Sequence, residues 1–150
     1  MRINPFLSLL KTLSYALTGR LHFPRKRIGE VITMEDEQDF VIFRQLIVDP
    51  SQDQPEEPGA TLRVRFHVAH MSARQNKLFS LLPIPFFAGL PGFRSKLWML
   101  NEASGDFQGI YEWDSVEHAK NYANSFAMKF MTMRSARGSI SYEIIPKQPN

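Results

Sequence analysis

The chain contains no cysteine. This absence excludes disulfides, zinc sites built on thiolates, and thiol nucleophiles. It suits a reducing compartment, so we expect a cytoplasmic protein. Long apolar runs are missing too, because Lys11 interrupts the first apolar stretch and no small-residue cleavage pattern follows it. We therefore expect neither a signal peptide nor a membrane span. Glycine loops that cradle phosphate and nucleophile elbows are also absent from the sequence.

The 150 residues are 43% hydrophobic, which is enough for an ordinary globular core. The net charge of +3 is unevenly spread: residues 1–34 carry about +5, residues 35–58 about −7, and the remainder about +5. This pattern is typical of a basic start, an acidic connector and a mildly basic domain. We therefore predict an N-terminal unit over residues 1–58 and a main domain over residues 59–150.

Residues 4–17 predict an amphipathic helix, capped by Asn4 and followed by the basic segment 20–27. The simpler interpretation is that this helix docks on its own domain or on a dimer mate. The alternative is peripheral contact of residues 4–27 with an anionic membrane surface. The apolar side of the helix consists of Phe6, Leu7, Leu9, Leu10, Leu13 and Leu17.

Residues 28–34 and 40–48 predict two strands joined by an acidic loop. Because the second strand is apolar on both faces, we expect this hairpin to extend or cover the main sheet. Residues 49–59 contain three prolines and four acids and are typical of a linker or exposed loop.

From Thr61 onward the order is strand, helix, strand, strand, helix, strand, which is typical of the α+β, ferredoxin-like βαββαβ fold with an antiparallel sheet. Ser72 and Ser115 are predicted helix caps, and Gly105 supplies the turn of the central hairpin. The strands are predicted at 61–71, 93–100, 107–113 and 139–145, with helices after Ser72 and at 116–134.

Side-chain alternation divides the predicted sheet into an apolar face, which meets the helices, and a face that mixes charged and apolar residues. The mixed face is typical of an interface, with either a second copy of the sheet or the N-terminal hairpin as its cover. For Trp98, with Arg94 and Lys96, binding of an anionic ligand is an alternative to dimer packing. The predicted dimer-interface residues are Arg65, His67, Lys96, Trp98 and Ile110.

Two segments, PGFRSKLW at residues 91–98 and GIYEW at residues 109–113, precede a helix carrying Ala119 and Tyr122. Over residues 61–145 this pattern resembles the YdhR-like mono-oxygenases of the dimeric α/β-barrel superfamily, which also holds the antibiotic-biosynthesis mono-oxygenases. The resemblance implies a homodimer with packed sheets and a pocket between sheet and helices. Some members of the superfamily oxidise phenolic polycyclic substrates with dioxygen alone, and others bind or degrade haem. The N-terminal extension and the connector at residues 83–91 depart from that family.

Oxygenation without a cofactor needs an apolar cavity with polar groups that remove a proton and stabilise an oxyanion. For such a cavity we predict His70 as the base, with Tyr111 and Trp113 as the other catalytic residues. The alternative is that these are core aromatics beside a histidine whose hydrogen bonds are satisfied. The predicted ligand-pocket residues are Phe66, Tyr122, Phe126 and Tyr142.

No metal site is predicted, because His67 and His70 are three apart in a strand and point to opposite faces. We expect no cofactor, with haem bound by a single histidine as the alternative. Nucleic acid is not an expected partner, since the third strand of the main domain presents Gln108, Ile110 and Glu112 where RNA-recognition modules present aromatics. The sequence therefore predicts a mono-oxygenase-like protein that acts on or binds a small apolar or aromatic molecule. A non-catalytic ligand-binding or membrane-surface interaction protein is the alternative.

Overall fold

The computed structural model describes residues 4–147, apart from the side chains of Phe126, Phe130 and Arg134. The described residues form a single antiparallel sheet with helices packed on one of its faces. In chain order, the elements are α1 (Pro5–Leu17), β1 (Leu21–His22), β2 (Val31–Thr33), β3 (Asp39–Val48), β4 (Ala60–His67), α2 (Ala73–Phe79), α3 (Ile84–Phe87), β5 (Phe93–Leu100), β6 (Asp106–Trp113), α4 (Val116–Ala123), α5 (Phe126–Arg134) and β7 (Ser141–Pro146).

The main sheet has the strand order β1-β3-β5-β6-β4-β7, and β2 pairs with β3 as well. The four strands β4, β5, β6 and β7, with α2 and the α4–α5 pair, give the ferredoxin-like arrangement that the sequence predicts. The N-terminal hairpin extends this sheet, because β3 forms a ladder with β5. The proposed division at residues 58 and 59 thus falls between two strands of a single sheet.

The predicted central hairpin is confirmed, with β5 and β6 paired on either side of the turn at Gly105. Gly105 has a φ of 79°, and the Asn101 side chain accepts hydrogen bonds from the backbone amides of Ala103 and Ser104 in the turn. Ser72 caps α2 in a capping box with Gln75, and Ser115 caps α4. The predicted helix at 116–134 is instead two helices, because Asn124 ends α4 and Ser125 begins α5.

A β-bulge at Arg94 changes which side chains of β5 face the helices. Phe93 pairs with Trp113 but Ser95 pairs with Glu112, so Arg94 is an extra residue in the ladder. Its buried guanidinium donates to Asp114 and to the carbonyl oxygens of Pro55 and Glu56 in the linker. Beyond the bulge, each residue of β5 lies on the face opposite to the one that regular alternation would give it.

Beyond the bulge, Lys96 pairs with Tyr111 and Trp98 pairs with Gly109, so both residues lie on the inner face, which the helices cover. The predicted position of Lys96 and Trp98 on the mixed outer face was therefore wrong. Leu97 and Met99, assigned to the inner face by simple alternation, belong to the outer face.

The outer face is covered in part by the chain itself. Phe40, Ile42 and Met99 are fully buried there, packed by partly buried apolar residues of the hairpin and sheet. The loop between β2 and β3 extends to β4, where Glu35 pairs with Arg63 and Asp36 pairs with Arg65. The other residues of this cluster are Ile32, Met34, Leu97 and Ile110.

Helix α1 docks on the domain through its small and polar side. The Thr12 hydroxyl donates to the carbonyl oxygen of Pro85 at 2.7 Å, and Ser8 is buried. Gly89 permits this approach, because a Cβ there would overlap the Ser8 carbonyl oxygen. None of the described helices is long and apolar enough to cross a membrane.

Candidate functional site: an aromatic cavity with a buried lysine

A small cavity of about 20 Å³ lies between the inner face of the sheet and the helices. A space of this size holds about one water molecule. Strands β5 and β6 supply Lys96, Trp98 and Tyr111, and helices supply further walls. The helical residues include Asn76 of α2, Phe87 of α3 and Tyr122 of α4.

Lys96 is the main polar residue of this cavity. It is only 5% exposed, and its Nζ lies 4.3 Å from the ring centroid of Tyr111, 4.5 Å from that of Trp98 and 4.9 Å from that of Phe87. Rings at these distances attract an ammonium through their quadrupoles. Gly109 makes room for it, because a Cβ there would lie 3.1 Å from the Lys96 Cε and 2.8 Å from the Tyr111 ring.

Two tyrosine hydroxyls meet beside the lysine. The Tyr122 hydroxyl donates to the Tyr111 hydroxyl at 3.1 Å, and the two ring centroids are 4.9 Å apart. Trp113 supports both rings from the side away from the cavity, with its ring centroid 5.0 Å from Tyr122 and 6.4 Å from Tyr111. The tyrosine pair is thus held in place by aromatic packing on a strand and a helix.

Two other polar groups at the cavity lack a hydrogen-bond partner among the described residues. They are the side-chain amide of Asn76, which is 1% exposed, and the Nε1–H of Trp98. A buried polar group without a partner costs about 1–3 kcal/mol, so native proteins rarely keep one without a water or ligand to pair with it. Together these groups offer two kinds of donor and one acceptor to a molecule in the cavity.

A second cation lies at the edge of the cavity. The Arg44 guanidinium donates to Ser80 Oγ at 2.6 Å and to the Lys77 carbonyl oxygen at 2.9 Å. Its carbon Cζ lies 5.3 Å from the Trp98 ring centroid, so Arg44 and Lys96 are both within cation–π distance of one indole. Burial lowers the pKa of Arg44 below its ordinary value. Positive charge is therefore concentrated around Trp98.

Three of the predicted pocket and catalytic residues line the cavity: Phe66, Tyr111 and Tyr122. Trp113 lies behind them, fully buried. The structure does not bring His70 to this site, since it is exposed in the loop after β4 with a φ of 57°. Tyr142 is 53% exposed on β7 and borders a different, open cleft. The predicted pocket residue Phe126 has a side chain outside the described residues.

The predicted interface residues are divided between the two faces. Arg65 and Ile110 lie on the outer face, where Arg65 pairs with Asp36 and Ile110 packs in the hairpin cluster. His67 is exposed and contacts Asp106 through its Nδ1 at 2.9 Å. Lys96 and Trp98 belong to the cavity instead.

Sequence reasoning missed Asn76, Phe87 and Arg44 as members of the site. Phe87 lies in the connector at residues 83–91, where the sequence gives no sign of the short helix α3. The Lys-x-Trp motif of β5 was the sequence signal for a site at Lys96 and Trp98. The bulge, which the sequence does not reveal, decides the face on which these two residues lie.

The residues around the cavity do not fit a haem. None of the four histidines borders it, and a space of about 20 Å³ is far smaller than a porphyrin. Among residues 4–147 there is no group of three or more histidines, aspartates or glutamates arranged to hold a metal ion.

No family model and no curated protein sequence matches the chain. Solved structures with the same fold do match. One is an uncharacterised ferredoxin-fold protein related to antibiotic-biosynthesis mono-oxygenases, from Listeria monocytogenes: it is 15% identical with a TM-score of 0.59, over 81% of this chain and 71% of that one.

Two further solved structures are similar to this chain to a comparable degree. An anthrone oxidase-like protein is 16% identical with a TM-score of 0.52, over 73% of this chain and 54% of that chain. A haem-degrading enzyme from Listeria monocytogenes is 13% identical with a TM-score of 0.53, over 83% of this chain and 95% of that chain. At these identities the likeness establishes a shared ferredoxin-like fold.

Proposed function

We propose that this chain is a mono-oxygenase-like protein that binds a small aromatic molecule carrying an anionic oxygen in the cavity around Lys96. The observation that carries the proposal is a lysine, almost wholly buried among three rings, beside the hydroxyl pair of Tyr111 and Tyr122. In a water-poor site of this kind, a fixed cation and fixed hydroxyls stabilise a negatively charged oxygen far more than they do in water.

The resemblance to YdhR-like mono-oxygenases supports this proposal from the sequence. The motif at residues 91–98 contains Lys96 and Trp98, the two strand residues that the bulge directs into the cavity. Structures with the same fold include a protein described as anthrone oxidase-like. A tricyclic ketone of that class has the apolar rings and the acidic CH₂ group that the site would accept.

The proposed reaction uses dioxygen as its oxidant. The CH₂ group of the bound ketone loses a proton to water, and the resulting enolate oxygen is stabilised by Lys96 and the tyrosine hydroxyls. The enolate carbon then reacts with dioxygen. One oxygen atom becomes the new C=O and the other leaves as water, so a CH₂ group and O₂ give C=O and H₂O without an external reductant.

The cavity must enlarge to admit such a molecule, because it now holds about one water. The wall from α2 is the part best able to move, since it is a short helix outside the sheet and its outward side chains are exposed. We expect aromatic ligands to bind with displacement of this helical wall while the strands stay in place.

The test is binding and oxygen uptake with anthrone as the probe, for the unaltered chain and for Lys96→Met. Tryptophan fluorescence measures the affinity for anthrone. We expect this affinity to be about 10- to 100-fold lower in the variant, since a hydrogen bond to a charged group contributes about 1.5–3 kcal/mol. The matched control is His70→Ala, which removes an exposed residue outside the cavity and should retain both properties.

The results separate the candidate functions. Binding with no oxygen uptake would favour the non-catalytic ligand-binding alternative. Equal binding by the unaltered chain and by Lys96→Met, with both folded by circular dichroism, would refute the proposed site. Loss of oxygen uptake in His70→Ala would restore that histidine as the base and contradict the cavity as described here.

Homodimerisation through the outer face stays a prediction. The hairpin already buries Phe40, Ile42 and Met99 within one chain, so a second copy would pack on the area that remains. Sedimentation equilibrium of the full chain, compared with Ile110→Asp, tests whether that face joins two copies.

A further inference from the structure

We propose that α1, together with the outward side of α2, docks on the surface of an anionic membrane. This interaction surface is separate from the cavity, and its inference does not rest on the proposed function. The observation that carries it is the orientation of α1, which is the reverse of the one expected for an amphipathic helix on a globular domain.

The apolar stripe of α1 faces away from the protein. The side of the helix that contacts the domain carries Ser8 and Thr12, which are 3% and 6% exposed. The opposite side carries large apolar residues at intervals of three and four positions, which places them in one line along the helix. They are Phe6, Leu10, Leu13 and Leu17, between 53% and 88% exposed, with Leu7 beside them at 52%.

A neighbouring helical segment exposes further large apolar side chains. Helix α1 packs on α3, through Thr12 with Pro85 and through Ser8 with Gly89. Residues immediately before α3, in α2 and the turn that follows it, expose further large side chains. They are Leu78, Phe79, Leu81 and Leu82, between 43% and 64% exposed. An apolar surface of this extent on a water-exposed layer marks an interaction site.

The charge beside this apolar surface indicates which kind of partner binds there. The basic segment 20–27 begins three residues after α1 ends, and it includes the exposed cations Arg25 and Lys26. Neither makes an ion pair with any described residue. An anionic lipid surface would neutralise these cations while its acyl region accepts the leucines.

The same layer forms one wall of the cavity. Asn76 of α2 and Phe87 of α3 border the cavity, while Leu78 of α2 is exposed on the outside. Contact with a membrane would therefore act on a helix that also lines the cavity.

The test is flotation of the full chain with vesicles of phosphatidylcholine alone and of phosphatidylcholine mixed with phosphatidylglycerol. We expect binding to the mixed vesicles, weakened by added salt because ions screen surface charge. The paired substitution Leu10→Ser with Leu13→Ser should reduce binding at least about tenfold, since each buried CH₂ contributes about 0.8 kcal/mol. These side chains are exposed, so the fold should be retained.

Two matched controls make the test specific. Met133→Ser removes an apolar side chain that is even more exposed, on α5, and should leave binding unchanged. Arg25→Glu with Lys26→Glu should abolish the preference for anionic vesicles, whereas Lys129→Glu should not.

Three outcomes would overturn the proposal. They are no flotation of the unaltered chain, equal flotation of the Leu10 and Met133 variants, and a dimer that light scattering shows to dissociate in the Leu10 variant. Anthrone binding in vesicle-free buffer tests the cavity separately, so failure of one proposal does not imply failure of the other.

Discussion

The two faces of one sheet differ in how they are closed and in what they retain. The inner face buries aromatic rings together with Lys96, and at its small cavity the Asn76 amide and the Trp98 Nε1–H have no hydrogen-bond partner within the described part of the chain. The outer face buries three apolar residues under the chain's own hairpin and surrounds them with ion pairs at Arg63 and Arg65. The polar groups without partners thus lie at the cavity that we propose as the binding site, whereas the arginines of the outer face are paired.

The carboxylates in the ion pairs of the outer face have lowered pKa values. A hydrogen bond from its own backbone amide, and then one from Arg63, lowers the pKa of Glu35 below its ordinary value of 4.5. A hydrogen bond from Arg65 lowers the pKa of Asp36 below 3.8. On β6, burial opposes ionisation of Glu112, yet hydrogen bonds from Lys147 and Ser95 keep its pKa low. These carboxylates are all held ionised.

The largest expected effect is on the inner face. Trp113→Ala should lower the free energy of unfolding by about 3–5 kcal/mol, because truncating a buried aromatic leaves a cavity. Trp113 is fully buried behind both tyrosines. Urea denaturation measures the change, with Met133→Ala as the exposed control, expected to stay within about 0.5 kcal/mol. Equal losses in the two variants would contradict the packing described for the inner face.

A smaller effect of opposite sign is expected at the cavity. Asn76→Leu replaces a buried amide that no residue in the described range 4–147 pairs with, so we expect the free energy of unfolding to rise by about 1 kcal/mol. Anthrone binding should weaken in the same variant, because the ligand loses a hydrogen-bonding partner. Thermal unfolding and fluorescence titration measure the two quantities. Arg74→Leu, at an exposed position of α2, should change neither.

The smallest expected effect is local opening of the outer face in acid. The pKa values of Glu35 and Asp36 are lower in the folded state, so their ion pairs contribute fully above the ordinary values of 4.5 and 3.8 and are lost as pH falls through the lowered ones. Hydrogen-exchange protection of the Met34 and Ile42 amides, which bond within the hairpin, should fall over that window.

The double variant Glu35→Gln with Asp36→Asn provides the control for this effect. Its hairpin amides should show low protection at every pH, because it has no carboxylates to protonate. A pH dependence that persists in the variant would show that other groups hold the hairpin closed.

Much of the fold could be predicted because its signals are local. The central hairpin follows from two apolar runs around Gly105, and the helix starts follow from the capping chemistry of Ser72 and Ser115. The helix break at Asn124 and Ser125 also had a signal, since both residue types favour helix ends, but the continuous apolar stripe outweighed it.

The candidate site was harder to predict because it depends on tertiary contacts. Tyr111 and Tyr122 were identified by their aromatic pattern, and the structure brings their hydroxyls together. Lys96 was assigned to the wrong face because alternation cannot reveal a bulge. The direction of α1 was equally hidden, since it depends on the fit of Ser8 against Gly89 and not on the helix pattern alone.

The bulge at Arg94 has a consequence for how this fold changes through evolution. Deleting that one codon would remove the extra residue and leave Lys96 opposite Tyr111 and Trp98 opposite Gly109, so the lysine and the indole would keep their face. The linker would change instead, because the carbonyl oxygens of Pro55 and Glu56 would lose their donor. A one-residue deletion at this point would therefore loosen the connection between the two halves of the chain and spare the inner face of the strand.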